Sequence, residues 1–484
     1  MTVTASRGKL KMIHDDVEYY EHQVTGVRTL CRMGNAILAD EMGLGKSLQA
    51  LTVYAVDCQM GKADRLLIVS PATLKWNWED EIEKHTDFDW HVLYGDADQR
   101  AKQLKMFANS DIEILIVNYE QVVTHGSELN AMGFFTNVIY DEAHYIKGYN
   151  SQRTKACHKL TGKRHMLLTG SPLLNHVDDL WGLLHRVSPY EFPKYWNFRT
   201  RYCLFGGFKG KEIIGVKNET ELQEILDKYM LRRLKKDVLD LPEKQHIPVW
   251  VDLNPNQRQL YDQAKKELKI DLPTDPDPME LENALVKMLR LKQICGTTAT
   301  IPGYPDQSNK LDRVVEMVQD VIDSGEPVVV FTQFREVQRC LNTRFTAAGV
   351  GWRQINGDTP QQDRAPLVKA WAQDAAAGEY QALLCMIQVG GVGLNMTAAK
   401  KCIFVDKLFV PKLNEQAEDR LHRIGSDLTQ PVQIFEMQTV RTIEQRVETI
   451  LKRKNKVFGT LVEGDSRWKR KLYTALRETE DEDD

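Results

Sequence analysis

The stretch 40–47, "DEMGLGKS", places two glycines, a lysine and a hydroxyl between an apolar run and an amphipathic one. Glycines leave backbone N–H groups free to wrap an anion, Lys46 has the charge to meet outer phosphates, and the Ser47 hydroxyl is a ligand for magnesium. Asp40 occupies the position at which the strict phosphate-loop pattern has its first glycine. The stretch predicts a phosphate cradle, and a glycine-rich turn without a ligand is the alternative.

Two adjacent carboxylates, Asp141 and Glu142, follow the apolar run "NVIY". Ligand-binding groups gather at the carboxyl ends of strands in open α/β sheets. Successive residues that leave a strand point in different directions, so the two acids can serve two roles. Asp141 is predicted to hold magnesium, partly through water, and Glu142 to orient and deprotonate an attacking water. An acidic loop of no consequence is the alternative.

Late in the chain, "NEQAEDRLHRIGSD" places Gln416, Arg420 and Arg423 at spacings of four and three. On a helix these positions share one face. Two arginines and a glutamine on one polar face are suited to delivering positive charge to a γ-phosphate. The alternative is a solvated helix in which Glu418 and Asp419 pair with the arginines.

Short apolar runs bounded by turn residues indicate the elements that must position these groups. Such runs suit strands buried on both faces of a parallel sheet, with helices between them. They lie at 65–70, 114–119, 137–143 and 165–170 in the first part of the chain, and at 328–334, 382–387 and 401–406 in the second. Residues 191–295 have a mostly helical, charged pattern, and the polar stretch 296–309 is predicted as a linker. The prediction is an α/β fold of two parallel-sheet lobes with a helical insert between them.

The composition limits the class of protein. The chain has 484 residues, enough for about three domains, and its 42% hydrophobic and 27% charged residues are typical of a globular protein. Its eight cysteines include no C-x-x-C pair, which predicts a reduced, intracellular protein without structural zinc. We find no apolar signal segment and no run of membrane-spanning length. We therefore expect the protein inside the cell, and the compact, tail-poor chain favours the cytoplasm of a bacterium or of a virus-infected host cell.

The charge balance does not by itself indicate nucleic-acid binding, because the net charge is -4. Its distribution is uneven: residues 452–471 are rich in lysine and arginine, and the sequence then ends in "ETEDEDD". A solvated tail and a DNA-facing basic patch beside an acidic tail are both open readings of this region.

A series of segments, taken in chain order, resembles the motifs of superfamily-two helicase-like ATPases of the Swi/Snf type. The segments are "YYEHQVTGV" (19–27), "DEMGLGKS" (40–47), "VSPATLKWNWEDE" (69–81), "VNYE" (117–120), "DEAH" (141–144), "LTGSPLLN" (168–175), "MLRRLKKDV" (230–238), "SNKLDRVVEMV" (308–318), "VVVFTQF" (328–334), "INGDTPQQDR" (355–364), "VGGVGLNMTAA" (389–399) and "QAEDRLHRIG" (416–425). The resemblance spans about residues 15 to 450 and accounts for Asp40 in the phosphate loop. "RYCLFGG" with "MLRRLKKDVL" further resembles the annealing-helicase subgroup.

Four positions depart from the family pattern. They are His22 for an aromatic residue, Gly148 for asparagine, Ser171 for threonine and Ser426 for glutamine. None of these changes removes a charge that ATP hydrolysis needs, so we expect the protein to hydrolyse ATP.

The resemblance implies two tandem RecA-like lobes that use ATP and Mg²⁺. It implies an ATP-binding lobe at 1–190, a helical insert or brace at 191–300, a C-terminal lobe at 301–465 and a basic then acidic tail at 466–484. The implied activity is that of a DNA-dependent ATPase that tracks along duplex or forked DNA without sequence preference. Such a motor remodels DNA or protein–DNA structures, and the subgroup adds strand annealing.

The resemblance and the residue patterns together give the predicted site residues. The catalytic residues are Lys46, Asp141, Glu142, Arg420 and Arg423, and the metal ligands are Ser47 and Asp141. The ATP-binding residues are Gln23, Asp40, Glu41, Met42, Gly43, Leu44, Gly45, Lys46, Ser47 and Gln416. The DNA contacts are Pro71, Thr73, Lys75, Asn118, Tyr119, Gln333, Phe334, Gly390, Gly391, Gly393 and Asn395.

Two further features have competing interpretations. Trp76 and Trp78 are predicted to pack in the core, on one face of a strand. The basic cluster at 232–236 is predicted to brace the lobes, with a DNA contact or a solvated helical face as alternatives.

Three other functions compete with the translocase. A strand-separating DNA or RNA helicase needs a wedge element, and no obvious insertion provides one. A non-catalytic DNA-binding scaffold conflicts with the intact phosphate-loop lysine, acid pair and arginines. A metabolic phosphate-loop enzyme leaves the late arginines unexplained.

Overall fold

The computed structural model describes residues 12–170, 177–206, 212–239, 242–267, 278–390, 394–409, 411–423 and 430–445. The chain divides into two compact units, residues 1–240 and 241–484. Among the described residues, no helix is both long enough and apolar enough to cross a membrane.

The first unit contains strands and helices in alternation. Its strands are β1 Ala36–Leu38, β2 Arg65–Ser70, β3 Trp90–Val92, β4 Ile114–Asn118, β5 Phe135–Tyr140, β6 Arg164–Leu168, β7 Cys203–Gly206, β8 Glu212–Val216 and β9 Met230–Leu231. Its helices are α1 Glu21–Met33, α2 Lys46–Gln59, α3 Lys75–His85, α4 Ala97–Ala108, α5 Tyr119–Met132, α6 Gln152–Lys159, α7 Leu180–Val187, α8 Tyr195–Tyr202, α9 Glu219–Tyr229 and α10 Lys235–Val238.

Seven of these strands form one parallel sheet in the order β3-β4-β2-β5-β6-β1-β9, and β7 and β8 form a separate antiparallel hairpin. Successive residues of a strand alternate between the faces of the sheet. In β2, Leu67 and Val69 pack in one hydrophobic cluster, whereas Leu66 and Ile68 pack in another on the opposite face. Both faces are covered, which is why the strand sequences are continuously apolar.

The second unit repeats this plan. Its strands are β10 Gln245–Val251, β11 Val328–Thr332, β12 Trp352–Ile355, β13 Ala382–Met386, β14 Lys401–Phe404 and β15 Gln433–Thr439. Its helices are α11 Pro255–Glu267, α12 Pro278–Gly296, α13 Asn309–Asp323, α14 Arg335–Ala347, α15 Gln361–Ala376, α16 Ile387–Gly390 and α17 Pro411–Glu418. The strands form one parallel sheet in the order β10-β15-β14-β11-β13-β12. The predicted α/β class with two parallel-sheet lobes is confirmed.

The segment predicted as a helical insert also contains strands. β9 pairs with β1 in the first sheet, and β10 pairs with β15 in the second. The polar stretch 296–309, predicted as a linker, lies inside the second unit. There the Thr297 hydroxyl donates to Asp306 Oδ1 at 2.6 Å, and the Ser308 hydroxyl donates to the Gly296 carbonyl at 2.6 Å. Thr297 and Ser308 are buried with these partners, whereas residues 302–305 of the same stretch are exposed.

Candidate active site

The predicted phosphate loop lies between β1 and α2, at the carboxyl edge of the first sheet. Gly43 and Gly45 have φ values of 84° and 72°, a left-handed conformation that residues with side chains rarely adopt. Helix α2 begins at Lys46, directly after Gly45. The loop therefore leads into the positive end of a 14-residue helix, an arrangement that favours an anion.

The Lys46 side chain folds back over this loop. Its ammonium donates to the carbonyl oxygens of Asp40 at 2.9 Å and Glu41 at 3.3 Å. Because β6 pairs with β1, the chain after β6 also reaches this place: a Cβ added to Gly170 would lie 3.8 Å from Lys46 Nζ and 2.7 Å from Met42 Cγ. Gly170, in the predicted motif segment 168–175, thus lies beside the phosphate loop, and residues 171–176 lie outside the described residues.

Asp40 is positioned differently from a nucleotide ligand. Its side chain is fully buried and forms an ion pair with Arg233, which follows β9. Only the Asp40 carbonyl is directed to Lys46. Of the basic cluster 232–236, Arg233 and Lys235 are turned inward and Arg232 and Lys236 are exposed.

Gln23 lies against the phosphate loop on α1. Its amide oxygen accepts from the Tyr20 backbone N–H at 3.0 Å, and its Nε2 donates to the Leu44 carbonyl at 3.4 Å. His22 Nε2 lies 3.2 Å from the same carbonyl oxygen, and burial lowers the His22 pKa. The structure therefore places both residues at the loop, and the contact of Gln23 with adenine stays a prediction.

Asp141 follows β5 and is held from several sides. Its Oδ2 accepts from the Trp78 indole N–H at 2.9 Å, its Oδ1 accepts from the Glu142 backbone N–H at 2.9 Å, and its carbonyl accepts from the Tyr119 hydroxyl at 2.7 Å. Burial, followed by the like charge of Glu142, raises the pKa of Asp141 to about 6 against the opposing influence of Trp78 and Lys46. The acid and the phosphate-loop lysine are thus electrostatically linked.

Glu142 has a φ of 47°, in the left-handed region that few residues with side chains occupy. Its carboxylate lies 3.1 Å from His144 Nδ1 and is partly exposed. Backbone strain of this kind is concentrated at functional sites. The two carboxylates have different partners, the Trp78 indole for Asp141 and His144 for Glu142.

The residues at this edge fit a magnesium ion. Each Asp141 oxygen has one hydrogen-bond donor and keeps lone-pair capacity, and Ser47 adds a hydroxyl at the second residue of α2. Oxygen ligands are those that Mg²⁺ prefers, and it commonly completes its coordination with water and substrate phosphate. Across the described ranges, no three His, Cys, Asp or Glu side chains form a metal-binding cluster.

The predicted DNA contacts in the first unit are mostly inward-facing. Lys75 is buried, its ammonium donates to the Leu93 carbonyl, and burial lowers its pKa to about 8. Tyr119 is fully buried against Tyr145. Asn118 caps α5 by accepting from the Gln121 N–H. Pro71 is buried and Thr73 partly exposed. The Lys75 and Tyr119 side chains are therefore not exposed to a DNA backbone in this structure. They were predicted because they follow strand ends, and position after a strand does not show whether a side chain is exposed or buried.

The predicted DNA contacts in the second unit include both exposed and buried residues. Asn395 is exposed. Gln333 donates from Nε2 to the Lys407 carbonyl at 2.9 Å, and Phe334 packs in the core. Gly390 ends α16, and Gly391 and Gly393 lie outside the described residues.

The late arginines do not share a helix. Helix α17 carries Gln416 but ends at Glu418, and partly exposed Arg420 and Arg423 lie in the turns that follow. The Arg420 carbonyl accepts from the Met396 N–H at 3.0 Å, which ties this turn to another segment instead of to a continuing helix. Glu418 and Asp419 are buried, and both pair with Lys244, at 3.1 and 2.8 Å.

Three residues of the site were not predicted for these contacts. Trp78, predicted as core in a strand, lies in α3 with its indole aimed at Asp141. A buried indole N–H requires an acceptor, which is the signal that could have found it. Arg233 and Gln49 donate directly to the Asp40 carboxylate, and no local pattern indicates either contact.

This combination of a glycine-bent loop, a lysine over it and a half-buried acid pair at one sheet edge defines a nucleotide-binding class of α/β protein. The sequence profile described as SNF2-related domain matches residues 22–299, more than half of the chain, and the one described as helicase conserved C-terminal domain matches residues 309–425. The chain therefore belongs to the SNF2-related family.

Several curated proteins are similar to this chain. It is 28% identical over 460 residues to the putative ATP-dependent helicase/translocase YwqA of Bacillus subtilis, with 91% of the chain and 48% of the relative covered. It is 30% identical over 460 residues to the uncharacterized ATP-dependent helicase MG018 of Mycoplasma genitalium, with 92% and 42% covered. The chain thus spans less than half the length of these two relatives.

Among solved structures, the Sulfolobus solfataricus SWI2/SNF2 ATPase core in complex with dsDNA is 24% identical to this chain. The TM-score is 0.43, and the match covers 93% of this chain and 94% of that one.

Proposed function

We propose that this chain hydrolyses ATP to move along duplex DNA and so remodel DNA or protein–DNA structures. The observation that carries the proposal is the placement of Lys46, folded over a glycine-bent loop, and of the Asp141–Glu142 pair after strands of the same parallel sheet. Membership of the SNF2-related family and the helicase/translocase name of a relative support the same function.

Each residue has a proposed part in hydrolysis. The phosphate loop binds the nucleotide phosphates through its N–H groups, and Lys46 meets the outer phosphates. Mg²⁺ bound by Ser47 and Asp141 would neutralise phosphate charge. Glu142 orients the attacking water and accepts its proton. Its partial exposure leaves it accessible to that water.

Arg420 and Arg423 are proposed to stabilise the negative charge that develops on the γ-phosphate. Both side chains are partly exposed. Gln416 is proposed to assist nucleotide binding from the preceding helix.

The proposed substrate is duplex DNA, held by its phosphates without regard to base sequence. No recognition helix or zinc-finger spacing is found in the sequence. Contacts to phosphates release counterions, so ATPase activity should fall steeply with added salt and vary little with base sequence.

A triplex-displacement assay tests this proposal. The protein with ATP should strip a third strand from its duplex, and Glu142→Gln should not. A forked or tailed duplex should stay paired. Robust unwinding of a tailed duplex without triplex displacement would show that the strand-separating function is correct and that the translocase proposal is wrong. Re-pairing of complementary single strands would support the annealing activity that the subgroup resemblance implies.

A further inference from the structure

The carboxylate of Asp40 is the most deeply buried charge of the phosphate loop, and one arginine holds it. Arg233 Nε donates to Asp40 Oδ1 at 3.0 Å, and Nη2 donates to Oδ2. The Asp40 side chain is fully buried and the Arg233 side chain is 14% exposed. Two-point contact between the planar guanidinium and the carboxylate fixes both groups in orientation as well as in distance.

The other groups around this ion pair belong to the loop and the helices on either side of it. Arg233 Nη2 also donates to Gln49 Oε1 at 2.8 Å, and Arg233 Nη1 donates to the His22 carbonyl. Gln49 Nε2 in turn donates to Asp40 Oδ2 at 3.2 Å and to the Leu44 carbonyl at 3.3 Å. The network therefore contacts the loop at two places, the Asp40 side chain and the Leu44 carbonyl.

The space for this network depends on Gly26 in α1. A Cβ at Gly26 would lie 2.1 Å from Gln49 Oε1 and 2.6 Å from Arg233 Nη2. Both distances are too short for any real contact, so a side chain here would displace the two groups that grip Asp40. Glycine is used at this position for close approach.

The backbone around Arg233 runs beside the loop as an extension of the sheet. β9 pairs with β1, and beyond that pairing the Ala39 N–H donates to the Leu231 carbonyl at 2.7 Å and the Glu41 N–H donates to the Arg233 carbonyl at 3.0 Å. The Lys235 N–H donates to Glu41 Oε2 at 2.7 Å. The chain leaves the first unit only five residues after Lys235.

We infer that Arg233 is a positioning residue of the phosphate loop, acting through Asp40 and Gln49 on the backbone that binds nucleotide. The inference rests on the proposed ATPase function. The Asp40 carbonyl receives Lys46, and the Leu44 carbonyl receives Gln23 and Gln49, so the carboxylate grip sets the parts of the loop that orient those side chains. The ion pair also explains why this position has aspartate where the strict pattern has glycine, because the Asp40 carboxylate accepts hydrogen bonds from Arg233 and Gln49.

Nucleotide affinity is the property that this role controls. Arg233→Gln leaves the buried Asp40 carboxylate without its cation, and the loop is expected to rearrange to hydrate it. The KM for ATP and the dissociation constant of a fluorescent ADP analogue should each rise by about tenfold or more, while kcat at saturating ATP stays within about threefold. The control is Lys236→Gln, which removes an exposed charge three residues further along the chain and should change affinity less than about twofold.

A double-mutant cycle separates positioning from general destabilisation. Asp40→Asn should weaken nucleotide binding as Arg233→Gln does, and the double variant should be no weaker than either, because the two residues act as one unit. Arg233→Lys keeps the charge but loses the fork, so it should fold and show an intermediate affinity. Additive losses in the cycle, or an Arg233→Lys protein with wild-type KM, would overturn the inference.

The same experiment distinguishes this inference from the proposed function. If the wild-type chain neither binds the ADP analogue nor hydrolyses ATP, the proposed function fails. If the wild type does both and a folded Arg233→Gln protein, checked by circular dichroism, binds nucleotide within about twofold of it, only the positioning role fails.

Discussion

Glu142→Gln should make the nucleotide-free protein more stable at neutral pH while it stops ATP turnover. Burial and the Glu142 charge raise the pKa of Asp141 from 3.8 to about 6. About two units correspond to about 3 kcal/mol of free energy of unfolding. Burial is the first cause and the Glu142 charge the second, so neutralising Glu142 should recover part of this free energy and raise the thermal midpoint by roughly a few °C.

The sign follows from the direction of the pKa shift. The folded state holds the Asp141 proton more tightly than the unfolded state, so stability falls as pH rises from about 4 to about 6 and stays lower above that. Removing the like charge of Glu142 shrinks this loss. The difference in thermal midpoint between variant and wild type should therefore grow from about pH 4.5 to about pH 7.5.

Scanning calorimetry in EDTA without nucleotide measures this difference. Glu83→Gln is the matched control, because it neutralises an exposed glutamate of the same unit and should leave the pH dependence unchanged. A Glu142→Gln protein that is no more stable than wild type at about pH 7.5 would refute the electrostatic reasoning. Wild-type turnover in this variant would refute its proposed role as the base.

Three other substitutions test single contacts. Lys46→Ala should abolish ATP hydrolysis in a steady-state assay, because the ammonium over the phosphate loop is removed. Arg423→Ala should lower kcat by about a thousandfold with little change in nucleotide affinity; an unchanged kcat would remove this arginine from the reaction. Trp78→Phe should lower kcat by about tenfold through loss of the N–H that orients Asp141. Trp90→Phe, which removes an indole bond to Glu79, is its control and should be near wild type.

The strands that the sequence predicted correctly are those with enough apolar residues to leave a continuous pattern. The run at 65–70 is β2, which is buried on both faces. The strands β3 and β9, with three and two residues, are too short to produce such a pattern. β9 is recognisable only by its pairing with β1, a contact between residues far apart in the chain.

In the candidate site, too, local features could be predicted from the sequence, whereas long-range contacts could not. The positive φ values of Gly43 and Gly45 could be expected from the sequence, because glycine has no Cβ and adopts positive φ readily. The partners of the acids do not follow. Arg233 is separated from Asp40 by 193 residues, and nothing near either one in sequence indicates the pair. Helix α17 was predicted too long because spacing alone cannot show that a tertiary contact ends a helix.

Titration of ATPase activity with duplex DNA of increasing length tests the central claim most directly. Wild-type turnover should be low without DNA, rise on addition of duplex and rise further with duplex length, since a longer track extends each run before dissociation. The Glu142→Gln protein should stay inactive throughout. Equal turnover with and without duplex DNA, or a response that does not depend on duplex length, would contradict a motor that tracks along DNA.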